Sequence, residues 1–231
     1  MAGTAPTELA DGLWSWPARH PEWHPGDFGA EVVSFAARAD GTLLLIDPLL
    51  PVEEPEEALA LLDAEAERVE RIAILITITY HVRSAESLWQ RYQSGHEVSI
   101  HSHLAAGKRL TESAEAFVAM TPGERLPGGA MPYAIGKPRR YEYPLHLPDH
   151  DALVFGDAVV GVDSGLRVWA QRQIDEEVVR FHRERFNPTL EPLVEIGAGR
   201  MLMTHGPSVL SNGSAALRAA IEAPPWYHRP A

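Results

Sequence analysis

Four apolar runs of this sequence end in side chains that can do chemistry. "TLLLID" ends in Asp47, the isoleucine run of residues 72–78 leads to Tyr80-His81, "ALVFGD" ends in Asp157, and "RMLMTHG" ends in Thr204-His205-Gly206. Imidazoles and carboxylates are the groups that hold a divalent cation or move a proton at neutral pH. If the four runs are neighbouring strands with their ends on one rim, two histidines and two carboxylates converge there, on a rigid scaffold. The competing reading is local: Asp and Gly favour strand termini for turn and capping reasons alone. The chain has no cysteine, which removes thiolate nucleophiles, disulfides and Cys-ligated metal sites, so any metal must rest on His and carboxylates.

The elements that would position these groups alternate along the chain. "EVVSFAA" and "TLLLID", parted by "RADG", predict a hairpin entering the core. "PEEALALLDAEAERV" predicts a helix with Leu59, Leu62, Ala66 and Val69 on its packed face. Ile72, Ile74, Ile76 and Ile78 alternate with residues also apolar enough for burial, which predicts a central strand through Ile78. A four-residue loop, Tyr80 to Arg83, then leads to a helix capped by Ser84 and ended by Gly95, carrying Ala85, Leu88, Trp89 and Tyr92 on one stripe. Further helices are expected over 173–185, with Ile174, Val178 and Phe181 packed, and after Ser211, with Leu217 and Ile221. Residues 17–29 and 122–138 are rich in Pro and Gly and predict loops or edge strands.

Composition narrows the function. A length of 231 residues with 45% hydrophobic content suits one folded domain, 1–231, with a Trp- and Pro-rich segment 1–30 packed on it. With 32 acidic against 20 basic residues, the net charge of −12 disfavours nucleic acid and anionic membrane as partners and leaves a small-molecule substrate or ligand. The amino terminus lacks signal-peptide features and no segment reaches 18 uninterrupted apolar residues, so a cytoplasmic location is expected. No GxSxG elbow or GK[ST] loop supports serine-hydrolase or nucleoside-triphosphate chemistry.

From Glu31 to Gly206, the order of "LLLIDP", a central strand leading to a His-bearing loop and helix, "LVFGD" and "MLMTHG" resembles the metallo-β-lactamase-like hydrolases. The resemblance implies an α/β (αβ/βα) four-layer sandwich, two mixed β-sheets flanked by helices, with one or two metal ions at the strand ends. It also implies that Asp47 is the aspartate of the first motif, Asp157 the metal-bridging carboxylate and His205 the late histidine. The family signature THxHxDH is degenerate here. "ITYHVRS" sets Ile78 at the threonine, Thr79 at the first His, His81 at the second, Arg83 at the Asp and Ser84 at the last His. The lone third-motif His has no counterpart in residues 128–136. His81, Asp157 and His205 remain, and they make a three-ligand site only if all reach one centre.

Arg83 brings fixed positive charge to a position where the family has a carboxylate, because a guanidinium does not deprotonate in a protein. It is expected to fill part of the vacated metal site, paired with Asp157, with Tyr80 and Asp47 beside it as substrate-binding groups. Three readings stay open. One is a hydrolase of a small ester-like or anionic substrate, with His81, Asp157 and His205 holding one divalent metal such as zinc, manganese or iron. Another is a metal-free catalyst with His81 or His205 as base and Arg83 stabilising an oxyanion. The third is a non-catalytic binding protein or pseudoenzyme with no metal. Elsewhere, "EVSIHSH" sets His101 and His103 on one strand face that is expected to be solvated, "HLPDHD" reads as a hairpin turn, and the tryptophans of "LWSWPARHPEW" are expected to pack rather than line a pocket.

Overall fold

The computed structural model describes residues 5–24 and 28–228. Side-chain alternation along its buried strands sets the architecture. In β4 (Thr42–Ile46), Leu43 and Leu45 face one way and Leu44 and Ile46 the other, and all four are buried. The parallel neighbour β5 (Arg71–Leu75) repeats the pattern with Ile72 and Ile74 against Ala73 and Leu75. A strand buried on both faces needs a layer on each side. On one side lie α1 (Glu56–Ala66) and α2 (Ala85–Tyr92), whose Leu62, Leu88 and Trp89 pack on Leu43, Leu45 and Ile74. On the other side lies a second sheet.

The first sheet has seven strands: β1 (Thr7–Ala10), β2 (Leu13–Arg19), β3 (Glu31–Ala39), β4, β5, β6 (Glu97–Ser102) and β7 (Phe117–Ala119), in that spatial order. It is antiparallel from β1 to β4 and parallel from β4 to β7. The second sheet runs β13 (Arg200–Met203), β10 (Ala152–Phe155), β9 (Leu145–Leu147), β8 (Met131–Pro132), with β10 and β13 parallel and the remaining pairs antiparallel. Val154 and Leu202 point into the layer between the sheets. Leu153, Phe155, Met201 and Met203 point outward, against α4 (Glu191–Glu195), α5 (Gly213–Glu222) and the hairpin of β11 (Val159–Val162) and β12 (Gly165–Val168). The four-layer order of helices, sheet, sheet, helices is the one expected. Among the described residues no helix is long and apolar enough to cross a membrane.

Three local expectations are corrected. The isoleucine strand stops at Leu75 rather than Ile78: the Ile76 N–H still reaches the His101 carbonyl, but Ser102 Oγ takes the Ile76 carbonyl, Asp47 accepts the Thr77 N–H and the Thr77 carbonyl turns to the Tyr143 N–H. The connection to α2 is therefore longer than four residues, and Ser84 Oγ accepts the Leu50 N–H instead of capping the helix. The helix expected over 173–185 starts later, as α3 (Glu176–Phe181), where Asp175 caps it through the Val178 N–H at 2.7 Å, and it continues as a π turn, His182–Phe186. Val178, His182 and Phe186 form its buried stripe, while Ile174 and Phe181 are exposed. Pro17 lies within β2, beyond the last pair with β1 at Ser15, as an edge position should. Residues 25–27 of the predicted 17–29 loop and residues 1–4 of the predicted 1–30 segment fall outside the described residues.

Candidate active site

The four polar strand ends do meet. Asp47 follows β4 and is fully buried. Its Oδ1 accepts the Thr77 N–H at 2.8 Å, and its Oδ2 accepts the Thr77 hydroxyl and the His81 Nδ1–H at 3.0 Å. This carboxylate fixes the His81 ring so that Nε2 faces Asp157, 3.5 Å from Oδ1. The Nε2 of His205 lies 3.2 Å from the same oxygen. Two close approaches make this convergence possible. A Cβ on Gly156 would stand 2.6 Å from Thr77 Oγ1, and one on Gly206, whose φ is +76°, would stand 1.9 Å from the Gly161 carbonyl. Glycine before Asp157 thus lets the second sheet approach Thr77 of the first, and glycine after His205 lets that turn close on the β11–β12 hairpin. The His205 carbonyl also accepts the Gly161 N–H at 2.9 Å, and Thr204 Oγ1 donates to the Gly156 carbonyl at 2.7 Å.

Two residues of this centre carried no sequence signal. Arg139 Nη1 donates to Asp157 Oδ2 at 3.1 Å, and buried Glu142 accepts the N–H groups of Gly156 at 3.0 Å and Asp157 at 2.9 Å through Oε1. Both come from the segment after β8, where "PRRYEY" offers no pattern that separates an inward arginine from its exposed neighbour Arg140. Arg139, and not Arg83, is therefore the partner of Asp157. Arg83 adopts a left-handed backbone, φ 42°, and its Nη1 donates to the Asp47 carbonyl at 2.9 Å. The Arg83 guanidinium is neither a solvent-facing surface group nor a stopper on Asp157. Asp47 is likewise corrected as a substrate-binding group: it lies beneath His81, away from the cavity.

Burial and opposite charge compete at each titratable group. Burial and the Arg83 charge oppose protonation of His81, but Asp47 and Asp157 outweigh them and its pKa is raised. For His205 burial prevails over Asp157, and the pKa is lowered. Burial works to raise Asp157, yet the two imidazoles hold it well below the usual carboxylate range. Burial, with the Asp157 charge next, pushes Glu142 up to about 7.

A cavity of about 440 Å³ opens over His81 and His205. Its walls include His20, Trp23, Phe28, Arg83 and Trp169, with Tyr80 at the rim, stacked under Arg109 at 4.8 Å. The amino-terminal tryptophans thus divide their roles. Trp14 and Trp16 are core, as expected, while Trp23 faces the cavity.

The residues fit a single metal ion. His81, Asp157 and His205 each offer one ligand atom, all within 4.8 Å of one another. Tetrahedral ligands about 2.0–2.1 Å from zinc stand roughly 3.3–3.4 Å apart, close to the 3.2 and 3.5 Å separations of the two Nε2 atoms from Asp157 Oδ1. That oxygen is buried and has no well-directed hydrogen-bond donor among the described residues. At the positions that the resemblance sets against further ligands stand Thr79, a buried hydroxyl, Arg83, a cation, and Ser84, whose Oγ accepts the Leu50 N–H. His101 and His103 do not form a pair. His101 is buried, with Nε2 2.9 Å from Ser99 Oγ, which overturns the expected solvated face, and His103 lies beyond the strand and accepts the Ala105 N–H.

No protein-family model and no curated protein sequence matches the chain. Solved structures do. A metallo-β-lactamase from Pontibacter korlensis aligns at TM-score 0.64 and 14% identity over 94% of this chain and 98% of that one. One from Erythrobacter litoralis aligns at 0.63 and 14% identity over 94% of each chain. FIM-1 from Pseudomonas aeruginosa, a metallo-β-lactamase solved in a mono-zinc form, aligns at 0.59 and 11% identity over 94% of each. The chain has the metallo-β-lactamase fold.

Proposed function

We propose that this protein is a hydrolase of a small ester-like substrate that works with one divalent metal ion held by His81, Asp157 and His205. The observation that carries the reading is the approach of both Nε2 atoms to Asp157 Oδ1. When bound, such an ion polarises a carbonyl and lowers the pKa of a coordinated water. The protein supplies the rest. Asp47 keeps the His81 proton on Nδ1 and leaves the Nε2 lone pair free, the usual task of a carboxylate behind a ligating histidine. Arg139 holds Asp157 by Oδ2 and leaves Oδ1 to the centre. Glu142 anchors the Gly156-Asp157 turn through two backbone N–H groups. Trp23, Phe28 and Trp169 supply the apolar part of a wall that His20, Glu22, Arg83 and Gln171 make polar elsewhere. FIM-1 gives a precedent for one zinc on this fold.

A metal-free binding protein is the alternative, favoured by one observation: Arg83 and Arg139 bring two fixed positive charges to the centre. Elemental analysis of protein purified without added metal, with an esterase screen and melting in chelator, separates the two. The hydrolase reading expects about one metal per chain, a lower Tm in chelator and activity lost in His205→Ala. Metal-free protein whose melting ignores both chelator and added zinc sinks it.

A further inference from the structure

His20 follows β2 and lines the cavity, half-buried, and it is held at three points. Its backbone N–H donates to the Ala30 carbonyl at 2.8 Å, its carbonyl accepts the Trp23 N–H at 3.2 Å, and its ring Nδ1 accepts the Glu22 N–H at 3.2 Å. A neutral imidazole that accepts through Nδ1 carries its proton on Nε2. Burial and the Arg83 charge, with His81 and His205, outweigh the Glu22 carboxylate and lower the His20 pKa, which favours the neutral ring. The Nε2–H has no acceptor among the described residues, and it is open to a ligand, whereas Arg83 Nε and Nη2 are enclosed. The bond at Nδ1 also argues against His20 as a fourth metal ligand. A metal on Nε2 would need either an imidazolate or a proton on Nδ1, facing the Glu22 N–H donor to donor.

We infer that His20 donates a hydrogen bond to the substrate, its Nε2–H directed at the carbonyl oxygen of the ester-like bond, where negative charge gathers as water attacks. This rests on the hydrolase reading and adds a residue that the sequence did not single out. The oxygen of water bonds to the carbonyl carbon, and the carbonyl π pair moves onto the oxygen that faces His20. That pair returns as the bond to the alcohol breaks, and the alcohol leaves with the broken bond's pair and a proton from water. The His20 proton is shared and not transferred. A donor fixed in place before charge develops on the oxygen favours the state under attack over the resting ester.

The test combines three readings on the full chain. Long-range proton–nitrogen NMR spectra of the metal-free protein near neutral pH are expected to show the His20 proton on Nε2. Competition with a zinc-chelating dye is expected to give His20→Leu the zinc affinity of the parent within about threefold, while His205→Ala loses it. With phenyl butyrate and zinc-loaded protein, kcat is expected to fall about 100–1,000-fold in His20→Leu with KM nearly unchanged, and His20→Gln, which keeps an N–H donor, to recover part of the loss. A proton on Nδ1, zinc affinity lost in His20→Leu, or full kcat in that variant overturns the inference. If His20→Leu does not fold, the spectra of the parent and the kinetics of His20→Gln decide. Methyl phenylphosphonate, an anion shaped like the carbonyl under attack, separates the two proposals. A zinc-loaded parent that binds it about tenfold more tightly than His20→Leu does, yet cleaves no ester, removes the hydrolase reading alone. An active parent matched by His20→Leu removes the inference alone.

Discussion

Asp47→Asn changes one atom and should misdirect the centre. Oδ1 of Asp47 accepts from Thr77 N–H, and Oδ2 accepts from both the Thr77 hydroxyl and His81 Nδ1–H. In the Asp47→Asn variant the remaining side-chain oxygen must stay on the Thr77 N–H, because a backbone donor has no alternative. The amide NH2 then occupies the place of Oδ2 and faces His81 Nδ1 donor to donor. His81 relieves the clash by moving its proton to Nε2, which removes the lone pair directed at Asp157. Loss of an outer partner of this kind costs metal affinity about 10–100-fold. In free energy that is about 1.4–2.7 kcal/mol. Thr77 can rotate its hydroxyl, so the fold loses less, on the order of 1–2 kcal/mol for the charged hydrogen bond. Competition with a zinc-chelating dye reads the affinity and thermal melting of the metal-free protein reads the fold. An Asp47→Asn protein that binds zinc as tightly as the parent would refute the orienting role of Asp47, and with it the assignment of His81 as a ligand.

Two further outcomes follow from buried charges outside the cavity walls. Burial lowers His101 from the ordinary 6.5 to about 4, so below pH 6.5 the unfolded chain takes up a proton that the folded chain refuses. Stability should fall between pH 6.5 and 4, by on the order of 3 kcal/mol, and His101→Gln should flatten that part of a urea-melting profile; an unchanged slope contradicts the assignment. Arg139→Met leaves Asp157 with the two imidazoles alone, and metal-free melting should show a loss of about 3–5 kcal/mol. Added zinc should restore part of that loss by replacing the missing cation, and a variant insensitive to zinc would count against Asp157 as a ligand.

Which parts of this were legible in the sequence follows from where the information sits. Alternation in "TLLLI" and in the isoleucine run reports burial on two faces, and it predicted the doubly covered β4 and β5. Strand ends were legible because Asp47, Asp157 and His205 each interrupt an apolar run, and the glycines beside the last two mark close backbone approach. Arg139 and Glu142 were not, since a loop residue turned inward by tertiary contacts leaves no periodic trace. The partner of Arg83 is hidden for the same reason: spacing sets it near the centre and suggests Asp157, but its left-handed backbone sends Nη1 to the Asp47 carbonyl. Apolar alternation continues through Ile78 past the end of β5, because the Ile76 carbonyl and the Thr77 N–H pass to side chains, which a hydrophobic pattern does not record.

The charges of the centre explain how three potential metal ligands and two arginines can share one site. Asp47 and Asp157 face Arg83 and Arg139, and Glu142, pushed up to about 7, and His81, with its raised pKa, add charge of either sign, so the carboxylates are already largely offset before any ion arrives. A divalent ion on the three remaining ligands leaves the site short of negative charge. On the proposed function, Arg83 stands where the resemblance sets a metal-binding aspartate, so a second ion there would both lack a ligand and meet a fixed positive charge, and one ion is what the centre can hold.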